Sequence, residues 1–578
     1  MSGKHRIAEH IEVTWLDRQS APTTCPNCGW SGAMAALLDI DYRPPDAVHR
    51  FILQVCPHCQ ARFVDNPEMM DYATEALIEI GWNRYQLQLG AGVWPISAPL
   101  TRIDQPAGAR ILEIGGAYGF GLDFGIRARG WRGEGYDPSP LAAFGARELG
   151  LAIHQCYFTE AELADGPWDV VVATEVIEHL PEPPAFLALL RRAVAPGGVL
   201  VLTTPDAEWI TPALAPGALM PLLSPGAHRV LQTASSLRAA LHAAGFAAVK
   251  VVREATSLIA YAGPTPFELT DEPAAARAMF RRYLVERAAV SPETSDLRLG
   301  FAGRALFEAA NDGDWAAAEA AWLALKPAAQ ARFGLDLETL TRLPAGAEDA
   351  SLAELAQLMP LGLGMILFGR AMQRFGIGDP RSAVLPTLHL AAASVSALQQ
   401  ALAQRSLTDG LSASIGAILA DEILLCQAEA GERGSVPGIL ARGDGGLAQR
   451  AFVSFVNAGE YGAARKLHGL VEPRLLKFRP PYGPAELAAL FAAGILYLQA
   501  REDWRRSAAI FARMRDAMLK SRAPDQPPDP LFWPALRGEV LALHRLKRGA
   551  EATDLLTALI RDVPSAPEDL RDQIAGAP

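Results

Sequence analysis

The sequence predicts an α/β fold: a doubly wound parallel sheet, preceded by a small four-cysteine module and followed by an all-α region. Three observations carry this. Between Arg110 and Ala262, short apolar runs alternate with helical stretches, the pattern of a parallel sheet covered by helices. Two Cys-x-x-Cys pairs stand before them. After a Pro/Gly-rich break, "AGPTPFELTDEP" (262–273), the chain is rich in alanine and leucine with helical periodicity. The boundaries read from these shifts are 20–65, 70–265 and 274–578.

The 578 residues are 50% hydrophobic and 20% charged, with a formal net charge of −11. At about 150 residues per domain, the length suits roughly four domains. The acidic balance argues against a large polyanionic partner, so nucleic acid is not an expected ligand. The opening "MSGKHRIAEHIEVTWLDRQS" has no apolar signal-peptide core. The longest apolar run, Leu358 to Gly369, is too short and glycine-rich to span a bilayer. A soluble, cytoplasmic protein without a membrane span is expected.

The first element is set by Cys25-Pro-Asn-Cys28 and Cys56-Pro-His-Cys59. Each knuckle presents two thiolates, and together they complete one tetrahedral structural zinc site. The strand-like "FILQV" and "ARFV" flank the second knuckle, as in a zinc ribbon. Without a secretion signal, disulfides are not expected. "NPEMMDYATEALIEIGWNRYQLQLG" (66–90) reads as a helical lead-in.

The sheet follows. Its strands are "ARILEIG", "RGEGYD", "WDVVVAT", "GGVLVLTT" and "FAAVKVV"; its helices are "LDFGIRARG", "PLAAFGARELG", "PAFLALLRRAV" and "ASSLRAALHAAG". Ligands of such a sheet bind beyond the carboxyl ends of the strands. The first strand ends in Glu113-x-Gly115-x-Ala117-x-Gly119, which lacks the spacing of a dinucleotide loop. Glycines there let the backbone approach a ligand closely.

"ILEIGGAYGFGLD", "GYDPS", "WDVVVATEVIEHLPEP" and "APGGVLVLTTPD" resemble, in order and spacing, the motifs of class I S-adenosylmethionine-dependent methyltransferases, over about 110–262. The resemblance implies a Rossmann-like seven-stranded sheet with S-adenosyl-L-methionine as cofactor. It assigns Gly115, Ala117 and Gly119 to the cofactor loop, with Ala117 replacing the family's middle glycine. Glu113 orients the loop and the methionine portion. Asp137, 18 positions after Gly119, accepts the ribose hydroxyls. The adenine edge meets "HQCYFTEAEL", with Cys156, Tyr157 and Phe158 as candidates, and Thr174 completes the set. Tyr118 and Phe120 flank the cofactor or pack beneath it.

Beyond the strand "WDVVVAT" stand Glu175, Glu178 and His179. A helical turn starting at Glu175 would put all three on one face. Two carboxylates and an imidazole suit proton removal or a divalent metal. A similar Glu-x-x-Glu-His run binds magnesium in small-RNA 2′-O-methyltransferases and ubiquinone-pathway O-methyltransferases; elsewhere in the family these residues shape the pocket. His228 is a fourth ligand or an alternative base. Methyl transfer needs a base when the acceptor is a hydroxyl or a carbon acid.

In the last region, turns recur near Gly313, Gly459, Glu502 and Gly549, each before an Ala-rich helix. They resemble degenerate tetratricopeptide-type hairpins. The order of ribbon and methyltransferase resembles sugar C- and O-methyltransferases of polysaccharide and antibiotic pathways. The expected acceptor is a hydroxyl or carbon of a sugar, glycan or small molecule, with the helical region free to hold a protein partner. The alternatives are an RNA or small-molecule O-methyltransferase with a Glu/His metal site, and a non-catalytic helical-repeat scaffold.

Overall fold

The structure, a computed structural model, describes every residue except 1–3, 9–10, 44–48, 65–70, 75–79, 215, 406, 523–527, 564–566 and 568–578. Its described residues form two compact units. One comprises Met1–Arg370 with Ser396–Asp409, the other Ala371–Val395 with Gly410–Pro578.

The first unit opens with strands β1 (Lys4–Ala8), β2 (Ile11–Thr24), β3 (Ser31–Tyr42), β4 (His49–Val55) and β5 (Arg62–Val64). They pair antiparallel in sequence order. Ile11, Val13, Leu38, Ile40, Phe51 and Leu53 form the buried face, the alternation of a half-buried sheet. Helices α1 (Ile80–Leu89) and α2 (Trp94–Thr101) lead on. The expected helical lead-in is therefore helical from Ile80; Asp71–Thr74 hold a turn, and 66–70 and 75–79 lie outside the described residues.

The second sheet alternates strands and helices in sequence: β6 (Arg110–Ile114), α3 (Phe120–Arg129), β7 (Arg132–Tyr136), α4 (Leu141–Leu149), β8 (Ile153–His154), β9 (Trp168–Thr174), α5 (Pro183–Ala193) and β10 (Val194–Pro205). Then come α6 (Pro216–Leu223), β11 (Val230–Leu231), α7 (Ala234–Ala243), β12 (Ala248–Glu254) and β13 (Ser257–Gly263). The order across the sheet is β12-β13-β10-β9-β6-β7-β8. β6 to β10 run parallel, and β13 pairs antiparallel with both β10 and β12. Val170, Val171 and Val172 are all buried, as a parallel strand covered on both faces requires. Leu187, Leu190, Leu237, Leu241 and Phe246 pack one face of the core onto Leu112, Val171 and Leu200.

β11 does not belong to this sheet. It pairs antiparallel with β5, Val230 against Phe63 and Leu231 against Arg62, and so becomes the sixth strand of the cysteine module's sheet.

Helices α8 (Pro273–Val290), α9 (Asp296–Asn311), α10 (Trp315–Phe333) and α11 (Leu352–Leu358) lie in the first unit. α8 packs on α2 and α3, and α1 lies between α9 and α11. Asp123 of α3, fully buried, accepts from Tyr283 Oη at 2.7 Å and faces Arg287 Nε at 2.9 Å. Gln88 of α1 donates to Asp296 and accepts from the Leu361 amide, each at 2.7 Å.

α12 (Leu363–Gly376) and α13 (Arg381–Ala403) run through both units' ranges. The second unit continues with α14 (Gly410–Glu429), α15 (Val436–Arg442), α16 (Gly445–Asn457), α17 (Tyr461–Leu475), α18 (Pro484–Gln499), α19 (Trp504–Ser521), α20 (Phe532–Arg545) and α21 (Gly549–Asp562). The four recurring turns each join consecutive helices around a left-handed residue: Gly313 (φ 71°), Gly459 (φ 75°), Glu502 (φ 52°) and Lys547 (φ 59°). Among the described residues, α14 is long and apolar enough by length and composition to cross a membrane. It carries Asp421 and Glu422, paired with Arg442 and Arg381 at 3.3 and 2.6 Å.

Candidate active site

A cavity of about 420 Å³ opens beside the carboxyl ends of β6, β7 and β9, where the strand order reverses. Its walls include Ile114, Gly115, Ala117, Asp137, Tyr157, Phe158, Glu175 and His179, with Tyr72, Trp82 and Gln86 closing it from α1 and the turn before it.

The glycine loop is built around two carboxylates. Asp137 lines the cavity and accepts from the Ala117 and Ser139 amides, both at 2.8 Å, and from the Ser139 hydroxyl. Three donors leave room for a further donor on an ionised carboxylate. Glu113 lies under the loop instead of lining the cavity. Its carboxylate accepts from the Gly121 and Leu122 amides at the start of α3. A Cβ at Gly116 or Gly121 would come within 2.3 or 2.2 Å of its oxygens, so these glycines make space for an acid. Burial pushes the Glu113 carboxyl up to about 8.

Gly115 (φ 72°) and Gly119 (φ 80°) take left-handed backbone, and so does Ala117 (φ 47°). The alanine occupies a conformation that suits glycine, held there by the hydrogen bond its N–H donates to Asp137. Tyr118 and Phe120 pack beneath the loop: Tyr118 is 2% exposed and donates to Asn83. Tyr157 and Phe158 line the cavity; Cys156 is exposed outside it, and Thr174 is not among its walls.

Glu175 does not start a helical turn. It has φ 54°, and a short 3₁₀ turn begins at Ile177. The acids meet nonetheless: the Glu175 carboxylate turns back to the Thr203 hydroxyl (2.8 Å) and lies beside the Glu178 carboxyl. Although Glu175 exposes much of its surface, this carboxylate end is enclosed, and burial raises its pKa. Glu178 is fully buried, accepts from Thr204 Oγ at 3.0 Å, and is raised further by burial and by Glu175. Both carboxyls are thus held above the ordinary carboxylate range.

His179 Nδ1 stands 2.7 Å from the Tyr72 hydroxyl and 3.2 Å from the Ala227 carbonyl. Its Nε2 is 3.9 Å from Glu178 Oε1. His228 donates Nδ1–H to the Leu222 carbonyl at 2.8 Å, which leaves Nε2 as the lone-pair nitrogen. The two rings meet edge to face at 4.9 Å. Burial lowers both, His228 to about 4, so both are neutral at pH 7. Glu178, His179 and His228 place ligand atoms within 4.8 Å of one another.

Sequence reading missed Tyr72, Trp82 and Gln86, because they precede the sheet and no motif marks them. It also missed Thr203 and Thr204, which stand inside a quoted strand and read there as strand formers.

The four cysteines form a second cluster. Cys25–Cys59 and Cys28–Cys56 sulfur atoms are each 3.7 Å apart. Both knuckles fold alike: Gly29 and Gln60 amides return to Cys25 and Cys56 carbonyls at 2.9 Å.

Residues 94–251 match the family model of a methyltransferase domain. A "Probable S-adenosylmethionine-dependent methyltransferase" of Mycolicibacterium smegmatis is 37% identical over 107 residues, 18% of this chain and 42% of that one. A ubiquinone biosynthesis O-methyltransferase of Pseudomonas aeruginosa is 32% identical over 105 residues, 17% of this chain and 45% of its own length. The chain thus spans less than half the length of either relative. A solved O-methyltransferase family protein from Burkholderia thailandensis is similar over 35% of this chain and 66% of its own, at 16% identity and TM-score 0.29. The glycine loop, the sheet order and the matched segment agree: residues 94–251 are a methyltransferase domain within a longer chain.

Proposed function

We propose that the chain is an S-adenosyl-L-methionine-dependent methyltransferase acting on a hydroxyl. The observation that carries this is the cavity bounded by Gly115, Ala117 and Asp137 on one side and His179 on the other. The cofactor, when bound, supplies a methyl group activated on a sulfonium. Asp137 holds the ribose through its remaining lone pairs, and Tyr157 and Phe158 flank the base. Most acceleration comes from holding the acceptor oxygen in line with the methyl. His179, neutral at pH 7, takes the acceptor's proton at a ring nitrogen. The likeness to ubiquinone-pathway O-methyltransferases supports oxygen over carbon. The acceptor class proposed is a sugar, glycan-pathway or other small-molecule hydroxyl, the reaction being cytoplasmic.

The four-cysteine cluster is read as a structural zinc site. Tetrahedral zinc with Zn–S near 2.3 Å needs sulfur atoms about 3.8 Å apart, which the two 3.7 Å separations meet. Its four ligands leave no open position. A divalent ion on Glu178, His179 and His228 is a second reading, supported by their convergence. Two nitrogens suit a transition ion better than magnesium, which prefers oxygen.

Calorimetry with S-adenosylhomocysteine tests the main reading. Binding is expected, and Asp137→Ala should weaken it by roughly 1.5–3 kcal/mol through loss of charge-assisted bonds. Absence of binding by the unmutated chain would defeat the assignment.

A further inference from the structure

We propose that the four-cysteine module is a positioning element of the transfer pocket: metal held there fixes β11, and β11 fixes His228 and Glu178. The proposal rests on the reading of the pocket given above.

β11 has two residues and cannot hold its own place. Its position is set by what it pairs with, which is β5 of the cysteine module. Val230 packs in one small buried cluster with Cys25, Met34, Cys56 and Phe63. The residues just before it stand beside the pocket: the His228 ring meets, at 4.9 Å, that of His179, which lines the cavity. Val64 N–H donates to the Arg229 carbonyl at 3.0 Å, while Arg229 N–H donates to the Glu178 carbonyl at 2.7 Å. One peptide segment thus joins the module's last strand to the turn that carries Glu178 and His179.

The other anchor of His228 leads to the same module. Its ring donates to the Leu222 carbonyl at the end of α6. Leu219, Leu222 and Leu223 of that helix pack on Val13, Leu38, Ile40 and Phe51, the buried face of the module's sheet. Both supports of the imidazole therefore rest on the cysteine module.

A buried polar chain makes the joint directional. Asn27, inside the first knuckle, donates to Cys59 Sγ of the second at 3.7 Å. Asn27 Oδ1 accepts from Gln232 Nε2 at 2.8 Å, and Gln232 Oε1 accepts from Ser236 Oγ at 2.7 Å. These three residues are 5%, 0% and 1% exposed. An apolar contact would hold the two parts together with less exacting geometry. Buried amides with both ends engaged tolerate one arrangement, since a broken bond leaves an unsatisfied group. Gln232 directly follows β11, so the arrangement of the knuckles sets the register of that strand.

The test uses the full-length chain and reads His228 directly. Diethyl pyrocarbonate labelling of each histidine is followed by mass spectrometry, with exposed His154 as internal standard. Metal content and amide exchange of β6 and β9 are measured on the same samples. Removing metal with a chelator, where the loss counted is the one ion of the cysteine module and not the two that an occupied Glu178–His179–His228 site would give, should raise His228 labelling about tenfold while β6 and β9 stay protected, a local opening. Gln232→Leu should raise it about threefold with metal content retained. A purely structural role would lower metal content and melting temperature together, without selective exposure of His228. Labelling of His228 that is unchanged after metal removal would overturn the proposal, and so would a rise that appears with loss of β6 and β9 protection. A rise on chelation with none in Gln232→Leu would overturn the part given to the Asn27–Gln232 bond. If Gln232→Leu does not fold, chelation of the unmutated chain decides. Failure of S-adenosylhomocysteine to bind would defeat the transfer reading separately, since His228 labelling does not depend on it.

Discussion

Helices α8–α11 and helices α14–α21 are written in the same alanine- and leucine-rich style, yet they are held by different means. The first group is joined to α3 of the methyltransferase domain and to α1 before it through buried polar contacts: Asp123 with Tyr283 and Arg287, and Gln88 with Asp296. The second group makes a core of its own, around Phe452, Phe455, Leu467, Leu490 and Phe511. Phe511 is slotted between two glycines: a Cβ at Gly494 or Gly538 would fall within 2.6 or 2.4 Å of its ring. Composition alone therefore does not tell whether a helical region serves a neighbouring sheet or itself. The buried charge and the facing glycine do.

Two truncations test this difference most strongly. A chain ending at Pro273 removes α8, uncovers α3 and leaves Asp123 without Tyr283 and Arg287. It should be insoluble or unable to bind S-adenosylhomocysteine. A chain ending at Asp409 keeps α8–α11 and should bind with an affinity close to that of the full-length protein. Equal calorimetric behaviour of the two would erase the distinction.

Arg287→Met isolates the polar joint. Removing one partner of a buried ion pair costs about 3–5 kcal/mol, so chemical denaturation of the first unit should shift by that amount. Asp123→Leu combined with Arg287→Met should recover much of it, since neither charge is then left alone. For the second unit, Gly494→Ala should cost about 1–3 kcal/mol by overpacking Phe511. Its unfolding transition should move while S-adenosylhomocysteine affinity holds.

The last effect, absent at low pH, concerns Glu113, a buried acid beside the same helix α3 whose carboxyl meets the Gly121 and Leu122 amides. Its carboxyl is raised from 4.5 to about 8 by burial. The stabilising contribution of the neutral form is complete below pH 4.5 and is lost as pH rises through 8. Glu113→Gln, neutral throughout, should melt in parallel with the unmutated chain at low pH and progressively above it from pH 4.5 to 8. Parallel curves across that range would show that the acid is not held neutral.

The middle of the sheet was legible because β6, β9 and β10 are largely buried on both faces and read as continuous apolar runs, and because Gly115, Gly119 and Asp137 must stand where a loop turns tightly. The meeting of Glu175 with Glu178 was anticipated, though through a helical turn that Glu175, in left-handed backbone, does not form. Ala117 read as a mild departure, and its backbone strain shows in φ alone. Tyr72, Gln232 and Asn27 were illegible for another reason. Each is polar in an unremarkable stretch, and its importance lies in a partner that is distant along the chain. β11 is the extreme case, since two residues carry no periodicity.

β11 also bears on how the chain is made. A ribosome delivers β5 by residue 64 and β11 at residue 230, 166 residues later. At about 5–20 residues per second this is a delay of roughly 10–30 s. Through that interval the outer edge of the cysteine module's sheet has no strand to cover it, and open edges invite wrong pairing. β5 spans three residues, which leaves a short template for an intruder. The nascent module is thus obliged to wait for most of the methyltransferase domain before its last strand arrives. With the metal site proposed for the four cysteines, a cell short of metal would meet that wait with the knuckles unclosed as well, so the yield of folded protein should depend on metal supply during synthesis more than after it.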